Sequence, residues 1–133
     1  ITVQTTINAP LARVWECYTV PKHVTAWNHA SDDWHSPSAK NDLRVGGRFN
    51  YRMEAKDKSA GFDFEGTYSD VKKHQRIVYV MDDGRKVDTT FLSTSTGTKL
   101  TIIFDAENEN SIEMQKDGWQ SILNNFKKYV ESN

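Results

Sequence analysis

Six stretches of the chain alternate apolar and polar residues, or run apolar throughout, at the length and composition of β-strands. Residues 1–7 (ITVQTTI) place Ile1, Val3, Thr5 and Ile7 on one face. In 48–55 (RFNYRMEA), Phe49, Tyr51 and Met53 share a face opposite Arg48, Asn50, Arg52 and Glu54. Residues 62–71 (FDFEGTYSDV) set Phe62, Phe64, Gly66 and Tyr68 against Asp63, Glu65 and Thr67. Residues 76–82 (RIVYVMD) are apolar on both faces, which leaves the direction of Tyr79 open. Val87, Thr89 and Phe91 align in the next stretch, and Leu100, Ile102 and Phe104 in the last.

Helical spacing appears twice. Leu11, Val14, Trp15 and Tyr18 recur at helix period, with Asn8 as the expected cap and Pro10 in the first turn. Pro21 ends that helix and opens a short second one through His23, Val24 and Trp27. The second signal closes the chain: Gln115, Trp119, Ile122, Leu123, Phe126, Tyr129 and Val130 form one stripe over about 20 residues, about 30 Å of helix. Asn110 is the expected N-cap, with Glu113 reaching back as in a capping box. Residues 28–41 (NHASDDWHSPSAKN) are polar, hold a proline, and read as a long loop.

Tight turns join the strands. Asp83-Gly84 is a strong hairpin signal and Thr96-Gly97 another, so the sheet is antiparallel. Alternation means that one face is covered and one is wet. The terminal helix is the only element long enough to cover it. Gly46, Gly47 and Gly66 stand where such a sheet can bend. A sheet bent around one helix has a concave interior, and a helix about 10 Å across does not obviously fill it.

At 133 residues the chain suits a single domain spanning 1–133. Hydrophobic residues make up 37% and charged residues 26%, which excludes a disordered chain. Seventeen basic side chains oppose 18 acidic ones, so no broad electrostatic footprint invites nucleic acid. There is no apolar run long enough for membrane insertion and no signal-peptide plan. The lone Cys17 forms no internal disulfide, and a cytoplasmic location is the expectation. Four Trp, five Tyr and six Phe have to be placed, and their directions decide the reading.

The segments NAPLARVWECYT (8–19), SDDWHSP (31–37), NDLRVGGRFNYRMEA (41–55), FEGTYSDV (64–71) and DGWQSILNNFKKYVE (117–131) together resemble the START-like, or helix-grip, superfamily. Within it the chain is similar to bacterial proteins related to the activator of the 90-kDa heat-shock protein ATPase. The resemblance implies an α+β helix-grip fold. A curved antiparallel sheet of about six strands wraps a long C-terminal helix, with two short helices after the first strand and a deep cavity between sheet and helix. Similar proteins include lipid carriers, polyketide cyclases and aromatases, and plant hormone receptors. Fold alone does not carry function. The eukaryotic co-chaperone has a second, amino-terminal domain for which 133 residues leave no expected room, so a chaperone-activating role is the weaker inheritance.

Strand parity and helix stripe nominate the ligand-binding residues: Phe49, Tyr51, Met53, Phe64, Tyr68, Tyr79 and Phe91 on the sheet, facing Trp119, Ile122 and Leu123. Trp27 and Trp34 bracket the polar stretch as entrance candidates. Inward phenols need hydrogen-bond partners, and a ligand can supply them. Catalytic and metal sites are weakly signalled. His29, Asp32, Asp33 and His35 cluster without metal-ligand spacing, and His23 and His74 read as surface residues. Cys17 reads as a small buried hydrophobe, and Asp63 and Glu65 fall on the wet face. Arg44, Arg48, Arg52, Lys72, Lys73, Lys127 and Lys128 are interspersed with acids. The expectation is a binding protein for a small hydrophobic or aromatic molecule, with no cofactor, no metal and no nucleic acid, and acting as monomer or homodimer. A cyclase- or hydrolase-like enzyme and a co-chaperone with a protein partner are the alternatives.

Overall fold

The computed structural model describes residues Ile1–Asn133. Strand β1 (Thr2–Ile7) is followed by helices α1 (Leu11–Thr19) and α2 (Pro21–Trp27). Six strands follow: β2 (Trp34–Asn41), β3 (Arg48–Ala55), β4 (Gly61–Lys72), β5 (Arg76–Met81), β6 (Lys86–Ser93) and β7 (Thr98–Phe104). Helix α3 (Ile112–Ser132) closes the chain. The sheet is antiparallel throughout, in the order β1-β7-β6-β5-β4-β3-β2. Seven strands replace the expected six or so.

The extra strand is β2, in the stretch expected to be loop. Residues 34–41 pair with β3, with a register shift between His35 and Ser38 around Pro37. An edge strand tolerates proline and a bulge because half of its backbone groups need no ladder partner. Its one fully buried side chain is Ser36, whose hydroxyl donates to the Arg52 carbonyl (2.8 Å). A strand that buries a hydroxyl rather than a carbon chain shows no hydrophobic alternation.

Both helix caps also differ from expectation. Helix α1 is preceded by Pro10 in an extended conformation with no side-chain cap. The Asn8 N–H instead donates to Glu131 on α3 (2.8 Å), tying the two ends of the chain together. At α3 the cap is Ser111, whose Oγ accepts from the Met114 N–H (3.1 Å). Asn110 is taken up by Gln115, whose buried amide donates to the carbonyls of Asn110 and Glu107 (2.9 and 3.1 Å). Helix α2 begins on Pro21 as read, since proline's missing N–H costs nothing at a first turn.

Helix α3 packs against β1, α1 and α2. The β3–β4 side of the concave face lies farther from its axis and is reached by side chains such as Trp119. Two features shape that side. Gly66 lies so close to the Val80 carbonyl and the Phe49 ring that a Cβ would stand 2.7 and 3.2 Å from them. A bulge at Ser69 then shifts the register of β4 against β5. The outer face is a mixed polar surface in which arginines are engaged: Arg48 with Asp82 (2.9 Å), Arg52 with Glu54 (2.9 Å) and Arg76 with Asp88 (2.6 Å).

One helix position is not optimised. Gly118 sits inside α3 with open space where a Cβ would go. Gly118→Ala is expected to stabilise the protein by about 0.5–1 kcal/mol, because glycine costs that much inside a helix. Urea unfolding of the variant checks the gain.

Candidate functional site

Between α3 and the β3–β4 half of the sheet lies a cavity of about 340 Å³. A single water needs only about 10–15 Å³ on this measure, so side chains leave far more than hydration gaps. Fifteen of its 20 lining residues are hydrophobic. Phe49, Tyr51 and Met53 enter from β3, Phe64 and Tyr68 from β4, and Tyr79 from β5, which resolves the direction of Tyr79 as inward. Trp119, Ile122 and Leu123 face them from α3, and Trp27 closes one end from α2. Phe62 and Asp63, both exposed, mark the opposite end as the mouth, with Arg85 beside them.

The rings brace one another. Phe49 meets Tyr79 edge-on at 4.6 Å, and Phe64 meets Trp119 at 5.8 Å. Trp119 stacks on Phe104 at 4.0 Å, which holds its ring at the wall. At the closed end Trp27 stacks on Tyr18 at 5.4 Å, and Phe126 is edge-on to both. The Trp27 indole N–H donates to the Cys17 carbonyl (2.9 Å), so this ring is a fixed floor rather than an entrance.

Two of the twelve nominated residues lie elsewhere. Phe91 points inward as parity requires, but α1 covers that part of the sheet, and the ring packs on Trp15 and Tyr18 (5.0 and 5.5 Å). Trp34 is fixed opposite Ala55 by β2 pairing and leans on Phe62 at 5.9 Å without lining the cavity. Conversely, Tyr18, Thr19, Asn28 and Asn41 line the closed end without having been nominated. Tyr18 belongs to the apolar stripe of α1, and that stripe was the one available signal. Asn28 and Asn41 end α2 and β2, and only tertiary packing brings them here.

The polar groups form a neutral set. The Tyr68 hydroxyl donates to Asn41 Oδ1 (2.5 Å), and Asn41 Nδ2 donates to the Thr19 carbonyl (2.8 Å). Burial pushes the Tyr18 phenol up to about 12, with the Thr89 hydroxyl beside it pulling the other way. Burial also raises Tyr51 and Tyr79, reinforced by their neighbouring phenols, and it raises Tyr68 against the hydrogen bonds of Tyr51 and Asn41, which pull the other way. All four remain protonated hydrogen-bonding groups near neutrality. The charged lining residues are Asp63 and Arg85, at the mouth, and Arg85 is held by Asp83 (2.7 Å).

His23 differs from its sequence reading as a surface residue. His23 is buried, with Nδ1 2.6 Å from the Tyr129 hydroxyl and Nε2 3.4 Å from Glu16. The cluster at 29–35 does not converge: His29 Nε2 faces Asn125 Nδ2 (3.1 Å), Asp33 accepts from Ser31 (2.5 Å), and His35 lies 4.0 Å from Glu54. His74 takes a left-handed turn conformation (φ 64°) and sets its ring edge-on to Trp15.

Burial lowers the pKa of His29, and the nearby Lys56 adds to this. Asn125 donating to Nε2 leaves the proton on Nδ1, which is buried without a partner. The unfolded chain takes up a proton first, near the ordinary value of 6.5. Stability from neutral His29 is therefore present above about pH 6.5 and lost as pH falls through the lower folded value. Wild-type protein should lose more melting temperature between pH 7.5 and 5 than His29→Gln. The lowered carboxylates Asp57, Asp83, Asp88 and Glu107 act below that window.

A curled antiparallel sheet gripping a long terminal helix, with an aromatic cavity between them, defines a START-like helix-grip protein. The sequence profile of the Activator of Hsp90 ATPase homolog 1-like proteins matches residues 8–131, and the chain belongs to that family. It is similar to the solution structure of the AHSA1-like protein from Aeromonas hydrophila, at 46% identity and a TM-score of 0.94 over 99% of this chain and 92% of that one. A protein of Cytophaga hutchinsonii is also 46% identical, with a TM-score of 0.86 over 100% of this chain and 92% of that one. A Chromobacterium violaceum protein at 24% identity shares the fold with the same TM-score, over 100% and 98%. No curated protein matches the chain. No helix is long and apolar enough to cross a membrane.

Proposed function

We propose that the protein, acting as a single START-like domain in the cytoplasm, binds a small hydrophobic or aromatic molecule between its sheet and α3. The observation that carries this reading is the 340 Å³ interior space walled by aromatic rings and four protonated phenols. Small-molecule sites start at about this size and combine an apolar wall with a few polar groups. The START-like fold commonly holds hydrophobic ligands, which agrees with the wall chemistry.

The driving force is desolvation. A ligand hiding roughly 200 Å² of apolar surface gains about 5 kcal/mol at about 25 cal/mol per Å². Micromolar affinity needs about 8 kcal/mol, and hydrogen bonds from the closed end supply part of the difference. Catalysis is less well supported, because the charged side chains at the cavity, Asp63 and Arg85, stand at its mouth and each is beside an opposite charge, Arg52 at 3.6 Å and Asp83 at 2.7 Å.

Native mass spectrometry of freshly purified protein tests the reading, with a retained small molecule as the expected result. In parallel, a saturating apolar probe at 100 times its Kd should stabilise the fold by about 2.7 kcal/mol. A broad apolar panel that leaves the melting temperature unchanged contradicts the proposal.

A further inference from the structure

The cavity wall carries one hydroxyl that the protein itself does not use. Of the four phenols lining it, Tyr68 donates to Asn41 Oδ1, Tyr51 stands beside Tyr68, and Tyr18 has the Thr89 hydroxyl next to it. Tyr79 is 7% exposed and has no hydrogen-bond partner. A buried phenol usually finds one. The side-chain polar atoms sealed in protein without a partner are Asn28 Nδ2, His29 Nδ1 and Thr89 Oγ1. The Tyr79 oxygen is not sealed: it keeps open surface, and the cavity is the space its side chain lines.

Packing does not ask for that oxygen. Tyr79 pairs with Tyr68 and Val87 in mid-strand, and its ring meets those of Phe49 (4.6 Å), Phe64 (6.1 Å) and Tyr68 (6.4 Å). Phenylalanine would make the same ring contacts without burying a hydroxyl, which is costly when left unpaired. The hydroxyl is thus positioned in advance, aimed at whatever the cavity holds.

Its surroundings narrow the ligand. A phenol gives its hydrogen more readily than it accepts one, because the ring draws on the oxygen lone pair, so the missing partner is an acceptor. The one cation lining the cavity, Arg85, stands at the mouth and is held by Asp83 (2.7 Å). A carboxylate drawn in to Tyr79 would lose its hydration with no free opposite charge to offset it. A neutral oxygen has no such cost.

Resting on the proposed cavity binding, we infer that Tyr79 recognises the ligand by donating its hydroxyl hydrogen to a neutral oxygen acceptor, of the ketone kind, on an otherwise apolar molecule. The apolar body lies against the rings of Phe49, Phe64 and Trp119.

Three probes of similar shape test this: 2-acetylnaphthalene, 2-ethylnaphthalene without the oxygen, and 2-naphthoate with a charge. Isothermal titration is run on wild type and Tyr79→Phe. Wild type should bind the ketone about tenfold tighter than the hydrocarbon, as one net hydrogen bond provides, and tighter than the naphthoate. Tyr79→Phe should bind ketone and hydrocarbon equally, the loss falling on the ketone, and should melt no lower than wild type. Equal binding of ketone and hydrocarbon by wild type, or preference for the naphthoate, overturns the inference and leaves cavity binding standing. A ketone preference that survives in Tyr79→Phe does the same, by assigning it to another group. A fall in melting temperature for Tyr79→Phe also overturns the inference, by showing that the hydroxyl serves the fold. No binding of any probe overturns both the inference and the proposed function.

Discussion

Phe126→Ala is expected to lose about 3–5 kcal/mol of folding stability. The ring is wholly buried and meets Tyr18 and Trp27 edge-on at 5.4 and 4.7 Å. Truncation removes the apolar transfer energy and leaves a void beside rings that are already stacked in place. The void cannot close cheaply, because the Trp27 N–H is anchored on Cys17 and the Trp27 carbonyl on Asn125. Urea titration should show a lower midpoint with an unchanged slope, the sign of lost stability without a change in compactness. A loss under 1 kcal/mol would mean that the closed end repacks freely, and the cavity floor would then not be fixed.

Gly47→Ala is expected to cost about 1–3 kcal/mol or more, since added atoms in a tight site force the backbone to move. A Cβ at this position would overlap the Asp42 carbonyl oxygen and stand 3.0 Å from Arg44 Cγ and its carbonyl oxygen. The surrounding turn is closed by Gly47 N–H to the Arg44 carbonyl (2.8 Å) and Asp42 N–H to the Arg48 carbonyl (3.0 Å). It also carries the exchange between this loop and β4: Gly46 N–H to the Tyr68 carbonyl and Tyr68 N–H to the Gly47 carbonyl, both 2.9 Å. Opening the turn therefore moves Tyr68, whose hydroxyl is bonded to Asn41. Gly46→Ala is the control. Gly46 has φ +84° but free space around it, so alanine there should incur only the left-handed backbone cost of about 1–2 kcal/mol and leave Tyr68 in place. Thermal melts and probe affinities of the two variants separate the effects.

The legible parts of the fold were those with one covered face. Strands β1, β3, β6 and β7 turn alternate side chains to the interior, as β4 does from Phe64 to Tyr68, and their alternation follows directly. Strand β2 was not legible because its place at the edge asks little of its side chains, and Ser36 meets the demand with a hydroxyl. The cavity wall was legible for the same reason as the strands: parity names inward residues, and ten of the twelve nominated do line the space. Parity does not say which part of a concave face another element covers. Phe91 lies under α1 and Trp34 on β2 opposite the far end of β3, so neither lines the space. The polar closed end was the least legible part. Asn28 and Asn41 are separated by a stretch of polar sequence, and only the packing of α2 over β2 brings them to one place.

Methyl-resolved NMR of the protein titrated with 2-ethylnaphthalene tests most directly whether the interior space takes an apolar guest. Saturable shifts are expected at the methyls of Met53, Ile77, Ile102, Ile122 and Leu123, which line the cavity. Leu92 and Ile103, exposed on the opposite face of the sheet, should not move. Shifts confined to those outer methyls, or none that saturate, would contradict the account.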